Sequence, residues 1–234
     1  YRFYHNRMNG VLAQYNGQGG GSYVEFVCDW EGMYSTLSRE KFRILLAGRH
    51  DLDTFYYGFN YSMFHYAGQQ GAPIENVVEL LNPCVGVRFN AFFDFDIKLG
   101  ALLTAQRDRS FGHSWEKPCM GEFAFRISRW GLSLDERLYV GDNIHPFFYG
   151  HELEDGTPLP YGRELYPAES FFRTDQKVYS RTALSYRRSF FDDTVSVRAE
   201  FAAHHDGTAL GTQQMLVVGV KLLKTVYNSK NHKK

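Results

Sequence analysis

Val85-Gly-Val-Arg-Phe-Asn-Ala-Phe-Phe-Asp-Phe-Asp-Ile-Lys-Leu99 decides the fold, because it alternates with a period of two from end to end. Val85, Val87, Phe89, Ala91, Phe93, Phe95, Ile97 and Leu99 fall in one row, against Gly86, Arg88, Asn90, Asp94, Asp96 and Lys98 in the other. Successive side chains of a strand point to opposite faces, so this is a β pattern with one apolar and one charged face. The alternating run from Val85 to Ala105 would reach about 70 Å at ~3.3 Å per residue, too long for one strand. It must turn, and the expected place is Phe92 to Asp94, although no Gly or Pro marks it.

The same period recurs outward from that stretch. Phe55, Tyr57, Phe59, Tyr61 and Met63 oppose Gly58, Asn60 and Ser62. Val24, Phe26, Cys28 and Trp30 oppose Glu25, Asp29 and Glu31, and Phe42, Ile44 and Leu46 oppose Lys41, Arg43 and Arg49. Phe123, Phe125 and Ile127 oppose Glu122, Arg126 and Ser128. Leu132, Leu134 and Leu138 oppose Asp135 and Arg137, with Glu136 an exception on the apolar row. Val195, Val197, Ala199 and Phe201 oppose Ser196, Arg198 and Glu200, and Leu216, Val218, Val220 and Leu222 oppose Gln213, Gly219 and Lys221. Weaker strands are expected around Gly10 to Tyr15 and Val178 to Arg188, which brings the readable total to about eleven.

Long polar links are expected at 67–83, 106–119 and 142–177, and short ones near 50–53, 92–94, 130–132 and 190–194. Long and short links at opposite ends are the habit of outer-membrane barrels. If the last strand ends on the short-link side, the first readable strand begins on the long-link side. An odd number of strands is then missing or overlooked. The expected fold is therefore an all-β transmembrane antiparallel barrel of about 12 strands over residues 1–227, with an incomplete N-terminus and a basic tail at 228–234.

Composition agrees with a single all-β domain. The 234 residues include 20 Phe and 16 Tyr, and aromatic side chains pack well on a pleated surface. Acidic and basic residues balance at 26 each, leaving no net field to draw nucleic acid. No apolar run approaches the ~18 residues of a membrane-spanning helix. Three cysteines (Cys28, Cys84, Cys119) give neither a disulfide framework nor a metal-ligand spacing; at most Cys84 and Cys119, both beside expected loops, could pair.

Period two alone does not say which face meets water. A soluble barrel or sandwich, binding a hydrophobic ligand, would bury the apolar rows; a membrane barrel would turn them to lipid. Mid-plane Arg or Lys facing lipid costs about 2–4 kcal/mol each, so in a membrane the charged rows must point inward. Long strands, and Tyr and Trp near strand ends, favour the membrane. The C-terminus lacks the terminal aromatic residue expected there and runs into Asn228-Ser-Lys-Asn-His-Lys-Lys234.

Tyr4-His-Asn-Arg-Met-Asn-Gly-Val-Leu-Ala-Gln-Tyr15, Val24-Glu-Phe-Val-Cys-Asp-Trp-Glu-Gly32 and Leu138-Tyr-Val-Gly-Asp-Asn-Ile-His-Pro-Phe-Phe148 resemble Bacteroidetes-type outer-membrane barrels of porin-like description. So do Glu169-Ser-Phe-Phe-Arg-Thr174 and Tyr179-Ser-Arg-Thr182. The resemblance implies a Gram-negative outer-membrane location, outer-membrane lipid and other envelope proteins as partners, and additional N-terminal sequence. It carries no catalytic signature and no cofactor.

The candidate interior residues are Glu25, Asp29, Glu31, Arg43, Arg88, Asp94, Asp96, Lys98, Glu122, Arg126, Asp135, Arg137, Arg198, Glu200 and Lys221. They could line a charge-selective pore, or pair across strands and fill the lumen; a barrel of eight strands is filled and one of 16 to 18 leaves a channel. The 142–177 link carries Phe147, Phe148, Tyr149, Tyr161, Tyr166, Phe171 and Phe172, expected to plug the lumen, contact a partner or pack over the rim. His65, His113, His145, His151, His204 and His205 are expected in or beside loops as solvated side chains rather than metal ligands. A lipid hydrolase using His113-Ser114, or Ser180, Ser185 or Ser189, is a further alternative, although no nucleophile motif is present. Gly17-Gln-Gly-Gly-Gly-Ser22 lacks the Lys-Ser/Thr pair of a phosphate loop and reads as a turn.

Overall fold

A computed structural model describes residues 9–18, 21–32, 40–66, 76–107, 114–143 and 176–221. They form one antiparallel sheet of eleven strands in chain order, with no helix among the described residues. The strands are β1 (Gly10–Asn16), β2 (Tyr23–Gly32), β3 (Lys41–Leu52), β4 (Phe55–Tyr66), β5 (Asn76–Asn90) and β6 (Asp94–Arg107). They continue with β7 (Cys119–Arg129), β8 (Leu132–Gly141), β9 (Val178–Phe190), β10 (Val195–His205) and β11 (Leu210–Val220). Every strand pairs with its chain neighbours, and β1 and β11 do not pair with each other, so the sheet is open. Eleven strands and an open sheet stand where about twelve strands and a closed barrel were expected.

The long alternating run turns at 91–93, where Ala91 N–H donates to Phe93 O. Phe89 pairs with Phe95, Val87 with Ile97 and Val85 with Leu99. A three-residue link keeps odd-numbered residues on one face in both strands, so one apolar row continues across the turn. At 130–131, Trp130 and Gly131 both have positive φ, 53° and 84°. That is the conformation a two-residue hairpin link needs to match strand twist. Links 17–22, 53–54, 91–93, 130–131 and 191–194 lie at one end of the sheet; the strand ends flanking the longer links, and the four-residue link 206–209, lie at the other.

The expected loop at 67–83 is wrong over its second half, because β5 begins at Asn76 and runs through Pro83. Asn82-Pro83 reads as a turn signal, since proline cannot donate to a ladder. The strand tolerates it through a local repair. Pairing with β6 skips 82 and 83, and Asn82 Nδ2 donates to the carbonyl of Ala101, which the register sets opposite Pro83. The expected 106–119 loop is likewise shorter, with Gln106 and Arg107 in β6, Cys119 in β7 and Gln106 bridged to Glu116. Cys84 lies inside β5, not beside a loop, and all three cysteines are free. His65, His204 and His205 lie at the ends of β4 and β10, beside the links that follow them.

The two faces differ in enclosure. Glu25, Val27 and Asp29 of β2, and Arg43, Leu45 and Ala47 of β3, are buried, while Val24, Phe26 and Trp30 between them are exposed. The register carries that enclosed row across the sheet to Ser62, Asn82, Thr104, Glu122, Tyr139, Ala183 and Ala202, all buried. The opposite row is exposed and apolar from Tyr15 through Phe55, Leu99, Phe123, Leu184 and Phe201 to Leu216. The charged residues gather on the enclosed face, together with some apolar ones, and large apolar residues predominate on the outward one.

Candidate functional site: the enclosed polar face

A cavity of about 490 Å³ touches strands β1 to β8, so the enclosed face is concave. Gln14, Tyr23, Glu25, Arg49, Tyr56, Asn60, Asp96, Lys98, Arg126, Asp135 and Arg137 line it. All but Arg137, near the middle of β8, lie in the part of their strands nearer the short links. Farther along the same rows, Asp29, Arg43, Leu80, Asn82, Leu102 and Gln106 are 1% exposed or less. The face is thus open toward the short links and closed toward the long ones.

Glu122 is the hub of the closed region. Its carboxylate accepts from Lys98 Nζ at 2.6 Å, Asn82 Nδ2 at 3.0 Å and Tyr139 Oη at 3.4 Å. Those donors come from β6, β5 and β8, so one side chain of β7 ties four strands together. The absence of a side chain on Gly100 makes this possible. A Cβ there would stand 2.9 Å from Glu122 Oε2 and 3.2 Å from Asn82 Nδ2.

A second cluster sits nearer the short links. Tyr56 lies across β5 where a Cβ on Gly86 would overlap its ring, and its hydroxyl donates to Asp96 Oδ1 at 2.7 Å. The guanidiniums of Arg88 and Arg49 stand 4.7 and 5.0 Å from that ring. Arg88 also pairs with Asp96 at 3.3 Å and Arg49 with Asp51 at 2.8 Å. Each acid therefore meets a base, and the ring's negative π face is shared by two cations.

Of the charged residues expected on this face, Glu25, Asp29, Arg43, Arg88, Asp94, Asp96, Lys98, Glu122, Arg126, Asp135, Arg137, Arg198 and Glu200 all fall on the enclosed row by register. Arg126 pairs with Asp135 at 2.9 Å, and Glu200 pairs with both Arg181 and Arg198. Asp94 accepts from Asn90 at the edge of the face. Lys221 lies just beyond β11 and is exposed, its N–H donating to Thr194 O. Phe147, Phe148, Tyr149, Tyr161, Tyr166, Phe171 and Phe172 lie outside the described residues, as do His113, His145 and His151.

Neutral members of the site were not singled out by charge. Tyr23, Tyr56, Asn82, Tyr139 and Tyr179 sit on the enclosed row, and Tyr179 Oη lies 2.6 Å from His204 Nδ1. Their signal was the same period of two, once charge is set aside. Ser22 and His50 were also missed: Ser22 Oγ lies 3.1 Å from His50 Nδ1 and accepts from Asp51 N–H, clasping the 17–22 link to β3. Among the described residues no group of three or more His, Cys, Asp or Glu could hold a metal ion.

No family model matches the chain, and no curated protein or solved structure is significantly similar to it.

Proposed function

We propose that the chain is the wall of a Gram-negative outer-membrane β-barrel, of the porin-like Bacteroidetes kind, with an occluded interior, acting as a scaffold or accessory subunit. One observation carries this: large apolar side chains stand exposed on the outward row of every strand from β1 to β11, while most of the charges lie paired on the enclosed face. In water such a molecule would expose far more than the few hundred Å² of contiguous apolar surface that a soluble monomer tolerates. In lipid the same surface is the solvated one. Strands β2 to β11 have 10 to 15 residues, against the ~9–11 that a tilted spanning strand needs. At the short-link end Phe92, Trp130 and Phe191 are each more than 60% exposed, as aromatic residues at a membrane interface are.

β1 and β11 both begin at the long-link end, so they run the same way. One more strand running oppositely between them closes the ring with antiparallel pairing throughout, and gives twelve. Closure is required in lipid, where an unpaired strand edge has no water to satisfy it.

Occlusion is favoured over an open pore because Asp29, Arg43, Leu80, Asn82, Leu102 and Gln106, toward the long links, are almost wholly buried, and Glu122 among them is paired with Lys98. Single-channel recording of the detergent-purified protein in a planar bilayer tests this. The expected result is stable insertion without steady conductance; a steady conductance reduced by Arg88→Gln or Asp94→Asn would mean an open, charge-lined pore.

A second reading, an outer-membrane lipid hydrolase, is favoured by the Ser22–His50 pair. It borders an apolar groove of about 380 Å³ lined by Tyr15, Val24, Gly48, Tyr57 and Phe59. No carboxylate among the described residues orients His50, as a catalytic pair requires, and the scaffold stands first. Labelling of Ser22 by a fluorophosphonate, abolished in Ser22→Ala, would reverse that order.

A further inference from the structure

Polar side chains on the outward face are not spread evenly. On β1 to β7 the outward row contains no Ser, Thr, Asn or Gln, and its acidic and basic residues (His50, His65, Glu79, Arg107 and Arg129) lie toward strand ends. On β8 to β11 the same row holds Glu136, Ser180, Thr182, Thr212 and Gln214, with Arg188 and His205 toward strand ends. The register sets Phe125, Glu136, Thr182, Ala203 and Thr212 in one line across β7 to β11. Glu136 is the one acidic or basic residue in the middle of an outward row among the described residues, and Thr182 Oγ1 donates to it.

We infer that the outward face of β8 to β11 is covered by a second copy of this chain, related by a twofold axis near Thr182 and Ala203. The inference rests on the membrane reading above. A carboxylate facing hydrocarbon is costly, and such residues turn instead to protein partners. One bond from Thr182 leaves most of the carboxylate's acceptor sites unused. The stripe is self-complementary: its acceptor is on β8 and its donors Thr212 and Gln214 are on β11. A twofold axis sets β8 of one copy against β11 of the other, so each copy supplies what its twin needs. Ala203 at the centre lets the two walls approach closely, as small residues do between membrane segments.

The test uses the full chain with Cys28, Cys84 and Cys119 changed to Ala, extracted from membranes in detergent and oxidised. Ala203→Cys is expected to form disulfide-linked homodimers, and Leu99→Cys on outward β6 is not. Glu136→Leu is expected to weaken the dimer in native mass spectrometry by roughly a hundredfold to ten-thousandfold, as losing one charge-assisted hydrogen bond at each of two symmetric contacts predicts. A monomeric mass with equal cross-linking at both positions overturns the interface, and so does a mass showing a different chain bound. Recovery of the chain in the supernatant without detergent overturns the membrane reading instead.

Discussion

Lys98 Nζ and Glu122 Oε1 meet at 2.6 Å on adjacent strands, with the Glu122 side chain fully buried and Lys98 15% exposed. A buried pair of this kind is a weak source of net stability but a severe liability once broken, because the survivor is left charged and unpaired. Glu122→Ala is therefore expected to destabilise the folded protein by about 3–5 kcal/mol. Replacing both members by methionine is expected to recover most of that loss. Urea unfolding from lipid vesicles, comparing the single and double variants, measures the difference. Equal losses in both would mean the pair is not the cause.

Tyr56 and Gly86 make a second test, one of shape. Gly86→Ala places a methyl inside the Tyr56 ring, and overpacking of this kind costs about 1–3 kcal/mol. Tyr56→Phe removes only the bond to Asp96, worth about 1.5–3 kcal/mol for a charged acceptor. Combining the two is expected to cost less than their sum once the ring is free to shift. Strict additivity in the same unfolding assay would show that ring and glycine are uncoupled.

The links offer a contrast between two glycines. Gly131 has φ +84° and a Cβ there would collide with the Arg187 carbonyl, while Gly207 has φ +92° and nothing within 4 Å. Both alanine variants carry the left-handed strain of about 1–2 kcal/mol, and only Gly131→Ala adds a backbone clash. Gly131→Ala is expected to be the more destabilised of the two, and the reverse order would contradict the hairpin geometry at 130–131.

The period of two was legible because most inward charges are flanked in sequence by outward apolar residues, as Lys98 is by Ile97 and Leu99. Even the exception at Glu136 was visible as a break in its row. What could not be read was contact between strands. Asn82 reaching over Gly100 to Glu122, or Tyr56 over Gly86 to Asp96, depends on register and curvature that no single strand encodes. The turn chemistry of Asn82-Pro83 was legible and misleading, because the repair through the Ala101 carbonyl lies on another strand. The interior is also less polar than charge alone suggested: Val27, Leu45, Leu80, Leu102 and Met120 sit on the enclosed row among the charges. Those apolar residues help to close the interior.

The central claim is that the apolar row meets lipid and the charged row does not. Single-cysteine variants at 95 to 99 of β6, each carrying a small fluorophore in a Cys-free background, test it directly in vesicles containing brominated lipid. Lipid quenching is expected at 95, 97 and 99 and is expected to vanish at 96 and 98. Quenching absent at every position, or strongest at 96 and 98, would contradict the account.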